Sequence, residues 1–293
     1  MTVKARERVK RRNSWPDTDL AMLHRLWPVS TITKIAKIMG RSKGSISGQA
    51  MRSHLHFEAK PKVLAHDHPA MTGARTIFTG SVRRPDQDIG VLKPGAHQRK
   101  LGPRVLKGPW KGMPIYSLTL EERATCPDDC ALLANCYGNH MGRSIRYRHG
   151  SELEGQIGLE LVELQHKYPG GFVIRLHVLG DFYSLAYVQF WRRALATFPA
   201  LRVFGYTARG RNDAIGREIA ALRDQQWDRF AIRTSGAMRG PRTLVMESKD
   251  TELLKNADRI ICPAQTGATL CCATCALCWS GTVRNRPIAF LAH

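Results

Sequence analysis

The spacing of apolar residues changes character twice along this chain. From Pro16 to about Ser53 it is helical, in three short stretches. In Pro16 to Trp27, Leu20, Leu23, Leu26 and Trp27 share one stripe behind a proline suited to a helix start. In Thr31 to Met39, Thr31 serves as a cap, Ile32, Ile35, Ala36 and Met39 share a face, and Gly40 ends the run. Ser42 caps a third helix reaching about Ser53, which buries Ile46 and Ala50. Between Pro85 and Pro114 the periodicity lapses. Five prolines and five glycines stand there among Lys and Arg, the composition of an extended linker or a wrapping segment.

Beyond Pro114, short β-type runs alternate with helical ones. Ile115 to Leu120 reads as a strand, and Arg143–Tyr168 as a helix on Leu153, Ile157, Leu161 and Leu164. Val173 to Leu179 is a buried-type strand ending at Gly180-Asp181; the next helix carries Tyr187, Phe190, Trp191 and Leu195 and stops before Pro199. Strands at 202–207, 229–234 and 243–247, helices at 213–223 and 251–258, and a last strand at 259–262 complete the reading. The expected fold is α/β: a small N-terminal three-helix helix-turn-helix, then a C-terminal βα-repeat domain with an open parallel sheet or a partial barrel carrying cysteine-bound clusters. The expected divisions are a disordered basic arm at 1–12, the helical module at 13–57, a basic linker at 58–113 and the α/β body at 114–293. No repeat at a solenoid period is present.

Charge adds a partner to this picture. Lys and Arg number 45 against 24 Asp and Glu, a net +21 among 293 residues, which favours double-stranded DNA through counterion release. A hydrophobic content of 43% excludes a wholly disordered chain. No run approaches the roughly 18 apolar residues of a membrane span, and the basic N-terminus lacks the apolar stretch of a secretory signal. The expectation is a cytoplasmic, nucleoid-associated protein with no membrane partner. Arg41 and Lys43, with the basic arm, would meet phosphates, while Ser45, Gln49 and Arg52 face outward and the last two carry donors for base edges. A three-helix module that binds another protein, such as the transcription machinery, is the bland alternative. The segment SWPDTDLAMLHRLWPVSTITKIAKIMGRSKGSISGQAMRSHL resembles the Myb/SANT-like helix-turn-helix of the GcrA type of bacterial cell-cycle regulator.

All eight cysteines follow residue 125, clustered too tightly for a framework of spaced disulfides. Cys272, Cys275 and Cys278 form C-x-x-C-x-x-C, with Cys262-Pro263 ten residues upstream. Zinc is more often held by two separated C-x-x-C pairs, so this pitch favours a [4Fe–4S] cluster, with zinc the alternative and Cys271 a spare or alternate ligand. Cys126, Cys130 and Cys136, at C-x3-C-x5-C directly after the 115–120 strand, would supply three irons of a [4Fe–4S] cluster and leave the fourth open. Radical S-adenosylmethionine enzymes use that logic with a different usual spacing, C-x3-C-x2-C. A structural centre completed by Cys271 or a histidine is the other reading. One or two clusters are therefore expected.

Function on parallel sheets gathers at the carboxyl ends of strands, here Asp181, Tyr206 to Arg209, Arg233 to Ser235, Glu247 and Cys262. His177, Asp181, Tyr206 and Arg209 form a candidate polar pocket, Asp181 accepting from an amine or hydroxyl and Arg209 binding a carboxylate or phosphate. Against this, Asp181 suits a helix cap and His177 a satisfied core position, while Tyr187, Phe190 and Trp191 read as core. No phosphate-cradling Gly-rich loop, HExxH or nucleophile elbow occurs.

The stretches TCPDDCALLANCY, RLHVLGDFYSLAYVQFW, FGYTAR and CPAQTG followed by CATCALCW are similar, in order, to the phage "gene product 88" family over residues 114–293. That resemblance implies a cysteine-rich iron–sulfur domain of phages and mobile elements, with no settled reaction. The expected function is a DNA-binding iron–sulfur transcriptional regulator. The alternatives are a radical S-adenosylmethionine-like or other redox enzyme acting on nucleic acid, and a zinc-stabilised DNA-binding protein.

Overall fold

The computed structural model describes residues 15–27, 30–55, 63–86, 89–246 and 258–291. The expected basic arm, Glu247 and the expected helix at 251–258 (apart from Asp258) lie outside the described residues. The chain divides into two compact units, residues 1–60 and 61–293.

In the first unit, α1 (Asp17–Leu26), α2 (Ile32–Met39) and α3 (Lys43–Arg52) enclose Leu23, Trp27, Ile35, Ala36, Ile46 and Ala50. The predicted caps form. Thr31 Oγ1 accepts from Lys34 N at 3.3 Å and Ser42 Oγ from Ser45 N at 3.1 Å, each satisfying an otherwise unpartnered first-turn donor. Gly40 adopts φ 61°, the left-handed conformation that ends α2 and turns the chain towards α3. Arg41 donates from Nε and Nη2 to Asp19 Oδ2, at 3.0 and 2.5 Å, and lies 4.2 Å over the Trp15 ring.

The second unit opens with α4 (Pro69–Thr72) and β1 (Val82–Arg83), followed by β2 (Lys93–Pro94), β3 (Ile115–Ser117), β4 (Arg146–Tyr147) and α5 (Ser151–Lys167). Then come β5 (Phe172–Leu176), α6 (Leu185–Thr197), β6 (Leu201–Thr207), α7 (Ala214–Gln225), β7 (Phe230–Ser235) and β8 (Arg242–Met246). The chain finishes with β9 (Ile260–Ile261), α8 (Pro263–Thr266), α9 (Cys272–Cys275) and β10 (Ile288–Leu291). An eight-stranded sheet runs β2-β3-β5-β6-β7-β8-β10-β9, and every pairing except β2 with β3 is parallel. The α/β class and parallel sheet expected from the alternating pattern are present.

Alternation along the strands divides the core in two. Phe172, Ile174, Leu176, Val203, Phe230 and Ile232 pack under α5, α6 and α7, against Leu153, Ile157, Leu161, Trp191, Leu195 and Leu222. Ile115, Val173, Phe204, Ala231 and Ile288 face the other way, onto Leu101, Val105, Trp110, Ala273, Cys278 and Trp279. Trp110 and Trp279 stack there at 5.2 Å. Cysteine-rich chain thus covers the face that helices leave bare. Gly205 is required where β5 and β6 meet: a Cβ would lie 1.3 Å from Leu176 O.

Three elements differ from the expectations. The helix expected from Arg143 starts at Ser151, because Arg146 and Tyr147 pair as β4 with Val82 and Arg83 in a separate two-stranded sheet. The strand expected at 173–179 ends at Leu176. Finally, β10, unforeseen in the pattern, inserts between β8 and β9, and the strand expected at 259–262 is the two-residue edge β9. The Pro/Gly-rich stretch wraps: Val91, Leu92, Leu101, Val105 and Trp110 are all buried.

Candidate functional site

Two groups of thiols stand at the carboxyl side of the sheet. Cys262 follows β9 directly, Cys272 and Cys275 lie on α9, and Cys278 sits in the single turn Leu277–Trp279. All four line one cavity of about 620 Å³. Burial, reinforced by the neighbouring thiols, pushes Cys278 up to about 12; burial also takes Cys272 to about 11, against the pull of Arg175. Tyr206 presents its hydroxyl to Cys278 Sγ at 3.0 Å. Cys271, the expected spare ligand, is not among the lining residues. It caps α9 and packs in the apolar layer, against Gly102, where a Cβ would come within 2.6 Å of its sulfur.

The second group, Cys126, Cys130 and Cys136, occupies the loop between β3 and β4. Burial raises all three, Cys136 to about 11, and Cys126 also feels Asp181, Cys136 and Cys130. Buried arginines brace this loop. Arg146 pairs with Glu122 at 2.6 Å, both side chains fully buried, and donates to the carbonyls of Gly138 and Met141. Arg123 donates to Leu133 O at 3.1 Å and Asn139 Oδ1 at 2.6 Å. Leu132, Asn135 and Tyr137 from the same loop reach the cavity.

The four residues expected to share a polar pocket are distributed over three places. Tyr206 lines the cavity. Asp181 lies by Cys126 and accepts from Phe182 N and Ala208 N, both at 2.7 Å; burial lifts its carboxyl to about 6. Arg209 ties Phe182 O, Thr125 O and Asp213 together, so it braces the strand-end loops. His177 belongs to the helix-side core: it meets Tyr187 OH at 3.1 Å and Phe182 edge-on, and burial pulls it down to about 3. His177 therefore has a core setting, with Nε2 partnered by Tyr187 and Nδ1 buried without a hydrogen-bond partner among the described residues.

Sequence reasoning passed over Arg175 and Lys100, and placed Arg233 only among the strand-end residues. Arg175 lines the cavity from β5. Arg233 on β7 is fully buried and holds the carbonyls around Cys278. The signal available was a lone arginine inside an otherwise apolar strand, in FVIRL and FAIRTS. In the first unit, Lys43 is exposed, and Arg52 donates to Gln49 Oε1 at 2.8 and 3.0 Å, so the two expected base readers form one surface pair beside Ser45. Arg41, expected at phosphates, is engaged with Asp19.

Among the described residues, no three His, Cys, Asp or Glu side chains converge closely enough to hold a single metal ion. Nor is any helix there long and apolar enough to cross a membrane. Comparison with protein-family models, curated proteins and solved structures finds no match to this chain.

Proposed function

We propose that this chain is a DNA-binding iron–sulfur protein, a transcriptional regulator of the phage or mobile-element type whose cysteine centre senses redox state or braces the body of the protein. The observation that carries the reading is that Cys262, Cys272, Cys275 and Cys278 all line one cavity. The donor set suits such a cluster: four sulfurs, the Tyr206 hydroxyl within hydrogen-bond reach of one of them, and Arg175 and Lys100 nearby to offset thiolate charge. When bound, the cluster supplies one-electron redox chemistry. The chain's own residues position the thiols and limit their contact with water. Loss of the ligated state would free the loops that the thiols staple, which is the change a sensor needs. The net charge of +21 and the outward Lys43, Gln49 and Arg52 on α3 support duplex DNA as the partner.

Anaerobic purification with iron, acid-labile sulfide and zinc analysis tests the cluster. Iron and sulfide in equal amounts are expected, and Cys275→Ser should bleach the visible absorbance. Zinc without sulfide, or no metal, rejects the reading. For the DNA part, Gln49→Ala or Arg52→Ala should weaken preference for a selected site by about 1–3 kcal/mol per base contact. Unchanged preference in both removes α3 as the reader.

A second reading, an enzyme using an open cluster, is favoured by one specific observation. Cys126, Cys130 and Cys136 are three thiols in the loop after the first parallel strand, while four of the other cysteines line the cavity and Cys271 packs in the apolar layer. An open iron that takes S-adenosylmethionine predicts an altered electron paramagnetic resonance spectrum when that molecule is added. An unaltered spectrum discards this reading.

A further inference from the structure

The cavity beside Cys262, Cys272, Cys275 and Cys278 has more room than four thiols occupy. About 620 Å³ falls in the range of small-molecule sites, roughly 300–1,000 Å³. Apart from the thiols, the charged side chains around it are all cationic. Arg99 and Lys100 stand on its rim and Arg175 inside, and no Asp or Glu is among the lining residues. The Nε of Arg175 is buried and has no hydrogen-bond partner among the described residues. A buried donor left without an acceptor is costly, the more so when charged, and an arriving anion would remove that cost. The guanidinium lies 5.8 Å over the Tyr206 ring, and Lys100 lies 5.4 Å over Tyr137. Phe290 meets Tyr206 edge to face at 5.5 Å and extends the aromatic wall.

Cations set against aromatic rings in a mostly apolar cleft match a molecule with a phosphate at one end and a flat base at the other. We propose that this cavity binds a nucleotide, its phosphate held by Arg175 and Lys100 and its base laid against Tyr137, Tyr206 and Phe290. The proposal deepens the reading above by naming a ligand for the same carboxyl-edge site, and it rests on that reading only for the neighbourhood of the thiols. The nucleotide has two sources, a free molecule or a residue of a nucleic-acid strand.

The test is calorimetric titration of the full chain, purified anaerobically, with AMP, adenosine, inorganic phosphate and a short single-stranded oligonucleotide. AMP should bind, and adenosine and phosphate should each bind at least about tenfold more weakly, because each lacks one half of the recognition. Arg175→Met should weaken AMP by about tenfold or more, and Lys100→Ala, a change at an exposed position that leaves the fold alone, by several-fold. Competition between AMP and the oligonucleotide assigns the ligand to a strand; absence of competition assigns it to a free nucleotide. No binding of AMP, equal binding of phosphate alone, or indifference to both substitutions overturns the proposal. Iron and sulfide measured on the same preparation separate its failure from that of the cluster reading.

Discussion

The guanidinium of Arg233 holds the Cys278 loop through main-chain oxygens. Its Nε donates to Cys278 O at 2.9 Å, Nη1 to Arg284 O at 3.2 Å and Arg286 O at 3.1 Å, and Nη2 to Val283 O at 3.1 Å and Leu277 O at 3.4 Å. The side chain is fully buried and lies 5.4 Å over the Trp227 ring. Arg233→Met keeps most of the apolar stem and removes every donor. Hydrogen bonds to a charged group contribute about 1.5–3 kcal/mol each, and the 3.4 Å contact counts least. Burying the guanidinium itself costs several kcal/mol, which the substitution recovers. The balance is a loss of about 3–5 kcal/mol, a large part of the 5–15 kcal/mol typical of a domain. Urea unfolding followed by circular dichroism and tryptophan fluorescence measures it, and the rate at which a thiol reagent modifies Cys278 reports loosening of the loop. A variant within about 1 kcal/mol of the parent, with unchanged thiol reactivity, would refute the argument.

Two further outcomes follow from the core. Gly205→Ala drives a methyl group into the Leu176 carbonyl at 1.3 Å, where backbone must move, so a loss above about 4 kcal/mol or failure to accumulate as soluble protein is expected; a melting temperature within a few degrees of the parent would contradict the packing. Burial holds the folded-state pKa of His177 at about 3, below the ordinary 6.5, so on acidification the unfolded chain takes a proton that the fold refuses. Stability from this group is therefore complete above pH 6.5 and falls by up to about 1.4 kcal/mol per unit between 6.5 and 3. His177→Phe should flatten that slope, and parallel urea midpoints for both proteins at pH 7, 6 and 5 would contradict it.

The features legible in the sequence were those carried by local spacing. β5 and β6 are short runs rich in β-branched and aromatic residues, and the caps Thr31 and Ser42 follow from residue type and position. The pitch of Cys272, Cys275 and Cys278, with Cys262 upstream, anticipated the four thiols that line one cavity. The missed features depend on partners distant in sequence. Arg146 looked like the start of a helix because nothing nearby discloses Glu122, 24 residues earlier, which meets it in the interior. Leu101 and Trp110 are isolated apolar residues among Pro, Gly and Lys, with no period, yet the sheet's second face needs them. Arg175 illustrates the same limit at the cavity: alternation placed it on a strand, but only the assembled sheet sets it beside Tyr206 and the thiols.

The position of β10 bears on the order in which a nascent chain can mature. Among the described residues, 260–261 pair only with β10, and β10 is synthesised after the entire 262–278 segment. Until β10 is made, β9 and the Cys262 that follows it have no strand to pair with, whereas the 272–278 segment is already tied to Lys100, Leu101 and Arg233. Cys262 therefore takes its place in the sheet only after the segment bearing Cys272, Cys275 and Cys278 has been made, so the side of the cavity it forms is the last to close.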